Sequence, residues 1–172
     1  GLGDFRTLLR EVTVDPAMLR YLNGDENTGD APNENYSREL LELFGLGIGN
    51  YTEEDIRTGA VALSGWTVEL VGQGTTEDPT RGSARFVPRL HDETPQTYLG
   101  RSGVNDVDTV VDAVVEHEAC APFVASRFGR AVLGPDADPQ LLDDLAAEFR
   151  SADLDLRVLA RGVLEAVAEG RT

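Results

Sequence analysis

The sequence predicts a mainly α-helical, bundle-like domain with one inserted β-hairpin. Apolar residues recur at helical spacing along most of the chain, and helix-starting residues precede several of these stretches. Alternation typical of strands occurs only at 67–71 and 84–88. The 172 residues suit a single domain, since a chain of this length can bury roughly 70% of its unfolded surface. We predict helices over 1–66, a hairpin and irregular insert over 67–104, and helices over 105–172.

Two short helices are predicted at the start of the chain. Residues 4–13 place apolar side chains on one face of a helix, at Phe5, Leu8, Leu9 and Val12. Asp15 followed by Pro16 is typical of a second helix start, with Asp15 as the N-cap and Pro16 in the first position. Residues 23–34 are rich in Gly, Asn and Asp, which predicts a loop.

Residues 35–46 return to helical spacing. Their predicted apolar face comprises Tyr36, Leu40, Leu43 and Phe44, with Leu41 beside it. The Gly-Leu-Gly-Ile-Gly segment at 45–49 then ends the helix, because glycine readily adopts the left-handed conformation of a helix C-terminus. Since Leu43 and Phe44 are expected in the core, replacing either with alanine should cost about 2–5 kcal/mol of stability.

Further helices are predicted on both sides of the hairpin. Thr52 and Asp55 have the spacing of a capping box, which would open a helix that ends near Gly65. Beyond the insert, helices are expected to start near Asp106, Pro122, Pro139 and Asp153. The hairpin itself would join 67–71 to 84–88 through a long connection, and 89–104 is predicted to be irregular.

Composition excludes several kinds of partner and site. All 15 basic residues are arginine, and against 31 acidic residues they leave a formal net charge of −16. Nucleic acids and anionic membranes attract basic faces, so neither is expected as the main partner. No apolar run approaches the roughly 20 residues of a membrane-spanning helix. The single Cys120 excludes an internal disulfide and a cysteine-rich metal site.

A polar cluster is predicted on the side of the 35–46 helix that lies opposite its apolar face. Its members are Asn35, Arg38, Glu39 and Glu42. Glu39 and Glu42 are neighbours on the helix, and Arg38 lies four residues from both Glu34 and Glu42. Two carboxylates beside an amide and a guanidinium could bind a divalent cation or share a proton. The same pattern is also typical of a solvated helix face with ordinary ion pairs.

His91 and Asp92 form a second candidate, just after the second predicted strand. An imidazole beside carboxylates can bind a metal or transfer a proton, or it can be a loop residue fixed by its neighbour. We expect the polar flank of the 35–46 helix to face the end of the hairpin, close to His91. His117 is expected at the surface or capping a helix C-terminus, and Cys120 is expected to be a buried structural residue.

Several segments, taken in order, also carry a resemblance to a known family. They are APNENYSRELLELFGLG at 31–47, YTEEDI at 51–56, ALSGW at 62–66, FVPRLHD at 86–92, TYLG at 97–100 and RFGR at 127–130. The run from Asn33 to Leu43 is the most specific of them. This order resembles the bacterial family called domain of unknown function 1800, over nearly the whole chain.

The resemblance implies a setting and a set of residues, but no established activity. Family members are longer, with a helical portion ahead of this chain's first residue, so the chain is expected to be the C-terminal part of a longer protein. Many look exported, which implies a cell-envelope or secreted location. The residues that the resemblance singles out are Asn33, Glu34, Asn35, Tyr36, Arg38, Glu39, Glu42, Trp66, His91 and Asp92.

This chain departs from the family pattern at two positions. The family often has histidine where Phe44 stands and lysine where Gln96 stands. If that histidine served as a metal ligand or a base, this chain would lack it. The departure at Phe44 therefore weakens the metal hypothesis. The polar residues between Asn33 and Glu42, which we call the polar run, recur in the family, and this recurrence indicates that they have a role beyond forming a solvated helix face.

Two main hypotheses of function follow. In the first, the chain is a non-catalytic extracytoplasmic domain whose surface binds a protein partner or the missing N-terminal portion. Its polar network would hold the hairpin to the helices and comprise Asn33, Glu34, Asn35, Tyr36, Arg38 and Trp66. In the second, it is a metal-dependent or acid/base hydrolase, with a divalent metal as its candidate cofactor. Its candidate catalytic residues would meet in a cleft and are Glu39, Glu42, His91 and Asp92. A third hypothesis, anion binding by Arg38 and helix N-termini, has less support.

Overall fold

A computed structural model describes residues 3–70 and 82–171 of the chain. In these ranges the protein is mainly α-helical, which confirms the predicted fold class. The α-helices are α1 (Phe5–Thr13), α2 (Pro16–Tyr21), α3 (Glu34–Glu39), α4 (Glu53–Ala62), α5 (Val107–Glu116), α6 (Cys120–Leu133), α7 (Pro139–Ser151) and α8 (Leu156–Ala168). A π-helical segment, Leu40–Gly45, continues α3, and 3₁₀ turns lie at Gly24–Glu26 and Pro88–Leu90.

Side-chain caps begin several of these helices where the sequence predicts them. The carboxylate of Asp15 accepts hydrogen bonds from two backbone N–H groups of α2, and Pro16 occupies the first position. The capping box predicted before α4 is also present. The backbone N–H of Thr52 donates to the Asp55 carboxylate at 2.8 Å, and the Asp55 N–H donates to the Thr52 hydroxyl at 3.1 Å. Both helix starts are therefore confirmed.

Helix α8 begins with a different cap from the one predicted. Asp155 is its N-cap, and its carboxylate accepts a hydrogen bond from the Arg157 N–H at 2.9 Å. Asp153 and Leu154 instead have φ angles of 53° and 60°. An N-cap residue needs extended backbone, so the left-handed conformation of Asp153 excludes it from that role. The same turn places the Leu154 carbonyl where it accepts a hydrogen bond from the N–H of Phe5, at 3.0 Å.

The predicted hairpin is present with slightly shifted bounds. Strand β1 (Trp66–Leu70) pairs antiparallel with β2 (Gly82–Phe86), and Trp66 lies opposite Phe86. The long connection predicted over 72–83 lies, up to residue 81, outside the described residues. The hairpin follows α4 directly, so it extends from the C-terminal end of that helix.

A second antiparallel hairpin occupies part of the segment predicted to be irregular. Strand β3 (Gln96–Tyr98) pairs with β4 (Arg101–Val104) through the two-residue turn Leu99–Gly100. Both turn residues have positive φ, 49° and 76°, as in the tight turns that favour hairpins. Leucine rarely adopts this conformation, but here its N–H donates to the Asp55 carboxylate at 2.8 Å. This tertiary contact explains why local sequence signals missed the turn.

The π segment changes which residues of the 35–46 helix face the core. The N–H groups of Leu46 and Gly47 both donate to the carbonyl of Leu41, at 2.9 and 3.0 Å. A π turn holds more residues than an α turn, so the predicted 3.6-residue spacing fails beyond Leu40. Leu40 and Leu41 are fully buried, whereas Leu43 is 46% exposed. The prediction that Leu43 lies in the core is wrong, and Phe44 is only half-buried against it.

One hydrophobic cluster gathers side chains from α1 and from α3 to α8. The Phe5 and Phe149 rings meet edge to face with centroids 6.4 Å apart, which joins the first helix to the C-terminal helices. Cys120 is buried in this cluster, as predicted, and burial raises the pKa of its thiol to about 12. A thiol held protonated in this way is a poor nucleophile.

Candidate functional site

The polar run at the start of α3 is attached to the segment before it by asparagine amides. Asn33 caps α3, accepting a hydrogen bond from the N–H of Asn35 at 3.0 Å. The Nδ2 group of Asn35 donates to the carbonyl of Leu22 and to Oδ1 of Asn23, both at 3.2 Å. These bonds fix the start of α3 against the end of α2 and the turn that follows it.

A residue that no sequence pattern singled out joins three segments here. Asn27 is buried, and its side chain accepts a hydrogen bond from the N–H of Asn33 at 2.9 Å and donates to the carbonyl of Ala60 at 2.8 Å. Its backbone carbonyl also accepts from the N–H of Gly65 at 3.0 Å. Asn27 thus connects the loop, the start of α3 and the C-terminal end of α4. Its position in a Gly/Asn/Asp-rich loop gave no signal of this role.

The next two side chains of the run are buried and make hydrogen bonds inside the protein. The hydroxyl of Tyr36 donates to Oγ1 of Thr13 in α1 at 2.9 Å. Burial raises the pKa of Tyr36 to about 12. The hydroxyl of Ser37 donates to the carbonyl of Ile56 in α4 at 2.8 Å. These bonds join α3 to a helix on either side.

Arg38 makes ion pairs at the N-terminal end of α4. Its two terminal nitrogens bind the two carboxylate oxygens of Glu53, each at 3.0 Å, and Nη2 also lies 3.3 Å from Glu34. Hydrogen bonding to Glu53 raises the pKa of Arg38, and the same bonds lower the pKa of Glu53. Both carboxylates that contact the guanidinium belong to this protein, so Arg38 is already paired rather than poised for an external anion.

The two predicted carboxylates of this helix have different surroundings. Glu42 accepts a hydrogen bond from the hydroxyl of Tyr51 at 3.2 Å. Burial and this bond raise the pKa of Tyr51. Glu39 is half-buried, and its side chain makes no hydrogen bond or ion pair with the residues that the structure describes. The sequence predicted a shared site for Glu39 and Glu42, but only Glu42 has a polar partner in the described ranges.

His91 is fixed by a serine at the far end of α4. Its Nδ1 atom lies 3.0 Å from the carbonyl oxygen of Ser64 and 3.1 Å from the Ser64 hydroxyl. That hydroxyl donates to the Val61 carbonyl at 2.7 Å and accepts from the N–H of Asp92 at 3.1 Å. Since the Ser64 carbonyl can only accept, Nδ1 is the donor in this contact.

Trp66 and His91 are brought together through an aromatic side chain. The rings of Trp66 and Phe86 have centroids 5.5 Å apart, and those of Phe86 and His91 are 5.2 Å apart. Phe86 comes from β2, so the hairpin closes over the imidazole. Trp66 was selected only through the family resemblance and His91 through its position beside Asp92 after the second predicted strand, whereas nothing in the sequence selected Phe86.

A polar cleft lies beside His91. It has a volume of about 390 Å³ and is lined partly by Asp30, Arg89, Asp92 and Glu93. A hydrogen bond from Thr94 lowers the pKa of Asp92, which therefore stays ionised near neutral pH. The cleft could admit a small polar molecule, but its acidic groups come from adjoining loops rather than from α3 or the π segment.

The structure does not bring the four candidate catalytic residues together. Glu42 contacts Tyr51, which precedes α4, whereas His91 contacts Ser64, which follows it. With ten residues and a rise of about 1.5 Å per residue, α4 is about 15 Å long. The expected approach of the polar flank to His91 is therefore wrong, because α3 runs antiparallel to α4 and places Glu39 and Glu42 at the opposite end. In the described ranges, no three His, Cys, Asp or Glu side chains are grouped to hold a metal ion.

Two further observations bear on partner classes. None of the helices in the described ranges combines the length and hydropathy that a bilayer crossing requires. His117 ends α5 as its C-cap, and its Nδ1 atom accepts a hydrogen bond from the N–H of Ala119 at 3.1 Å. His117 thus lies at the C-terminal end of α5, as predicted, but its side chain bonds to the backbone that leads into α6 and not to the α5 carbonyls.

Comparison with known proteins supports the resemblance found in the sequence. A family model described as a protein of unknown function (DUF1800) matches residues 1–169. The chain matches no curated protein and no solved structure. Because the family model covers nearly all of its residues, the chain belongs to the DUF1800 family.

Proposed function

We propose that this chain is a non-catalytic, extracytoplasmic helical domain whose polar run organises the fold and whose surface binds a partner chain. One observation carries the proposal: the side chains of Asn33, Asn35, Tyr36, Ser37 and Arg38 make hydrogen bonds or ion pairs with the protein's own groups. Asn35 and Tyr36 bind the segment from α1 to the loop, while Ser37 and Arg38 bind α4.

The arrangement suits a structural network better than an active site. Catalytic groups need room for a reacting molecule within hydrogen-bonding reach. Tyr36 and Ser37 are buried, and their hydroxyl groups are directed to Thr13 and Ile56. Buried polar groups that have partners rigidify a fold, and the hydroxyl groups of Tyr36 and Ser37 join α3 to α1 and α4 in this way.

The hydrolase alternative requires that Glu39 and Glu42 lie in the same cleft as His91 and Asp92. Glu39 and Glu42 lie beyond one end of α4, and His91 and Asp92 lie beyond the other. One cleft in this fold therefore cannot use all four. We do not propose hydrolysis by this set.

The metal content of the purified protein tests the non-catalytic proposal. The chain would be purified without chelator, as wild type and as Glu39→Gln, and analysed for metals by elemental analysis. We expect no stoichiometric metal in either protein. A stoichiometric metal that Glu39→Gln removes without loss of helical circular dichroism would contradict the proposal.

The proposed location rests on the family resemblance and has its own test. Cells that produce the full-length protein naturally would be fractionated, and the protein would be detected with an antibody against this domain. We expect it in the cell-envelope or secreted fraction. Recovery in the cytoplasmic fraction alone would overturn the location while leaving the structural role intact.

A further inference from the structure

An apolar groove lies on the surface between α1 and α2. It has a volume of about 670 Å³, and its apolar lining includes Leu8, Val12, Met18 and Tyr21. Leu8 is 37% exposed and Tyr21 is 79% exposed. Large apolar side chains grouped at a surface are typical of a binding site for another protein. We call this surface the α1–α2 groove.

The charges of α1 are divided between two sides of the helix. Arg6 and Arg10 turn toward α5, where they pair with Asp112 and Asp108. Glu11, in contrast, lines the α1–α2 groove. The basic residues of α1 therefore form their ion pairs on the side of α1 that faces α5. On the side that faces the groove, α1 presents the acidic side chain of Glu11.

Helix α2 adds to the same acidic character. Its N-cap, Asp15, also lines the groove. Arg20 is not in the groove lining; it lines a neighbouring cavity that shares Asp15 and Ala17 with the groove. The groove thus has an apolar floor and an acidic rim, in a chain with a net charge of −16.

We infer that the α1–α2 groove binds a basic amphipathic helix of a partner protein; this inference rests on the proposed partner-binding function. Two helices form the groove, and a third helix can lay its apolar side chains between them at positions i, i+3, i+4 and i+7. Lysine or arginine beside that stripe would meet Glu11 and Asp15. A second copy of this chain is disfavoured as the occupant because two strongly acidic surfaces repel each other.

A designed peptide tests this inference directly. The probe is a fluorescent helical peptide of about 18 residues, built from leucine at i, i+3, i+4 and i+7 and lysine elsewhere. One comparison peptide has glutamate in place of lysine, and another has the leucine and lysine positions scrambled. Binding would be measured by fluorescence anisotropy in low and high salt. We expect only the amphipathic leucine–lysine peptide to bind tightly, with affinity that falls as salt rises.

Matched variants separate the groove from general attraction to an acidic protein. We expect Tyr21→Ala and Glu11→Gln each to weaken binding of the leucine–lysine peptide by about tenfold or more, as the loss of a central contact does. The controls are Leu164→Ala and Glu165→Gln on α8, where Leu164 is also an exposed apolar residue. These controls should change binding less than about twofold, and circular dichroism would confirm that all four variants fold.

Several outcomes would overturn the inference. These are no peptide binding, equal binding of the scrambled or glutamate peptide, and groove variants that behave like the α8 controls. A dimer in sedimentation experiments that Tyr21→Ala abolishes would assign the groove to self-association instead. None of these results contradicts the proposed structural role of the polar run. A stoichiometric metal that Glu39→Gln removes would contradict that role, whether or not the peptide binds.

Discussion

Asn27 shows how a single buried amide holds several segments. Its side chain both accepts from the N–H of Asn33 and donates to the carbonyl of Ala60, and it is almost completely buried. Removing the amide leaves two backbone groups without this partner in a place that water reaches poorly. The energetic consequence should therefore be larger than that of an exposed asparagine.

We expect Asn27→Ala to lower the free energy of unfolding by about 1–3 kcal/mol, since unpaired buried polar groups cost about that much. Urea unfolding followed by circular dichroism would measure the change. Asn50→Ala is the matched control, because Asn50 also donates to a backbone carbonyl but is exposed. A loss for Asn27→Ala no greater than that for Asn50→Ala would mean that the network around Asn27 contributes little.

Tyr36 makes stability depend on pH in the alkaline range. Burial raises its pKa to about 12 in the folded protein, above the usual value of about 10 in an unfolded chain. The phenol's stabilising contribution is fully present below pH 10 and is lost as the pH rises toward 12, because the unfolded chain releases its proton first. A shift of this size corresponds to about 2–3 kcal/mol.

The comparison of wild type with Tyr36→Phe tests this dependence. Urea unfolding between pH 8 and pH 11.5 should show a smaller fall in stability for the variant, which lacks the ionisable group. At pH 8 the variant should lose about 0.5–1.5 kcal/mol with the bond to Thr13. Tyr21→Phe serves as the control because Tyr21 is exposed. Identical pH profiles for wild type and Tyr36→Phe would contradict the account of Tyr36.

Among the elements, the π segment has the clearest energetic consequence. Leu41 is fully buried and Leu43 is 46% exposed, although the predicted helical spacing placed Leu43 in the core and Leu41 at its side. Gly45 ends the segment against α5, where an added Cβ would lie 2.5 Å from a methyl group of Val114. Glycine at this position therefore permits the close approach of the π segment to α5.

We expect Leu41→Ala to cost about 2–5 kcal/mol of unfolding free energy, since it opens a cavity in the core. Leu43→Ala should cost less than about 1 kcal/mol, because Leu43 is already 46% exposed in the folded protein. Denaturant unfolding of the two variants side by side would measure both. The opposite order would mean that the helix keeps α-helical spacing through residue 45.

Sequence patterns predicted the elements that depend on local chemistry. The caps at Asp15 and Thr52 and the β1–β2 pairing are all local signals, and all three are present. The β3–β4 turn and the π segment depend instead on contacts from distant residues. Leu99 is held by Asp55, and Gly45 lies against Val114, so neither could be derived from neighbouring residues.

At the scale of the whole molecule, α4 separates the candidate site residues into two groups, one near each of its ends. Periodicity predicted Glu39 and Glu42 on one helix, the position after the second predicted strand selected His91, and the family resemblance added Trp66. The direction of α3 relative to α4 was not available from the sequence, and that direction separates the two groups. The same antiparallel packing places Ser37 of α3 beside α4, where its hydroxyl donates to the carbonyl of Ile56.

If the polar run stabilises the fold, Ser37→Ala should lower the free energy of unfolding and Glu39→Gln should not. Ser37 is buried and bonded to Ile56, so its loss should cost about 0.5–1.5 kcal/mol. Glu39 has no polar partner in the described ranges, so Glu39→Gln should change stability by less than about 0.5 kcal/mol. If Ser37→Ala leaves stability unchanged while Glu39→Gln alters it strongly, the account is contradicted.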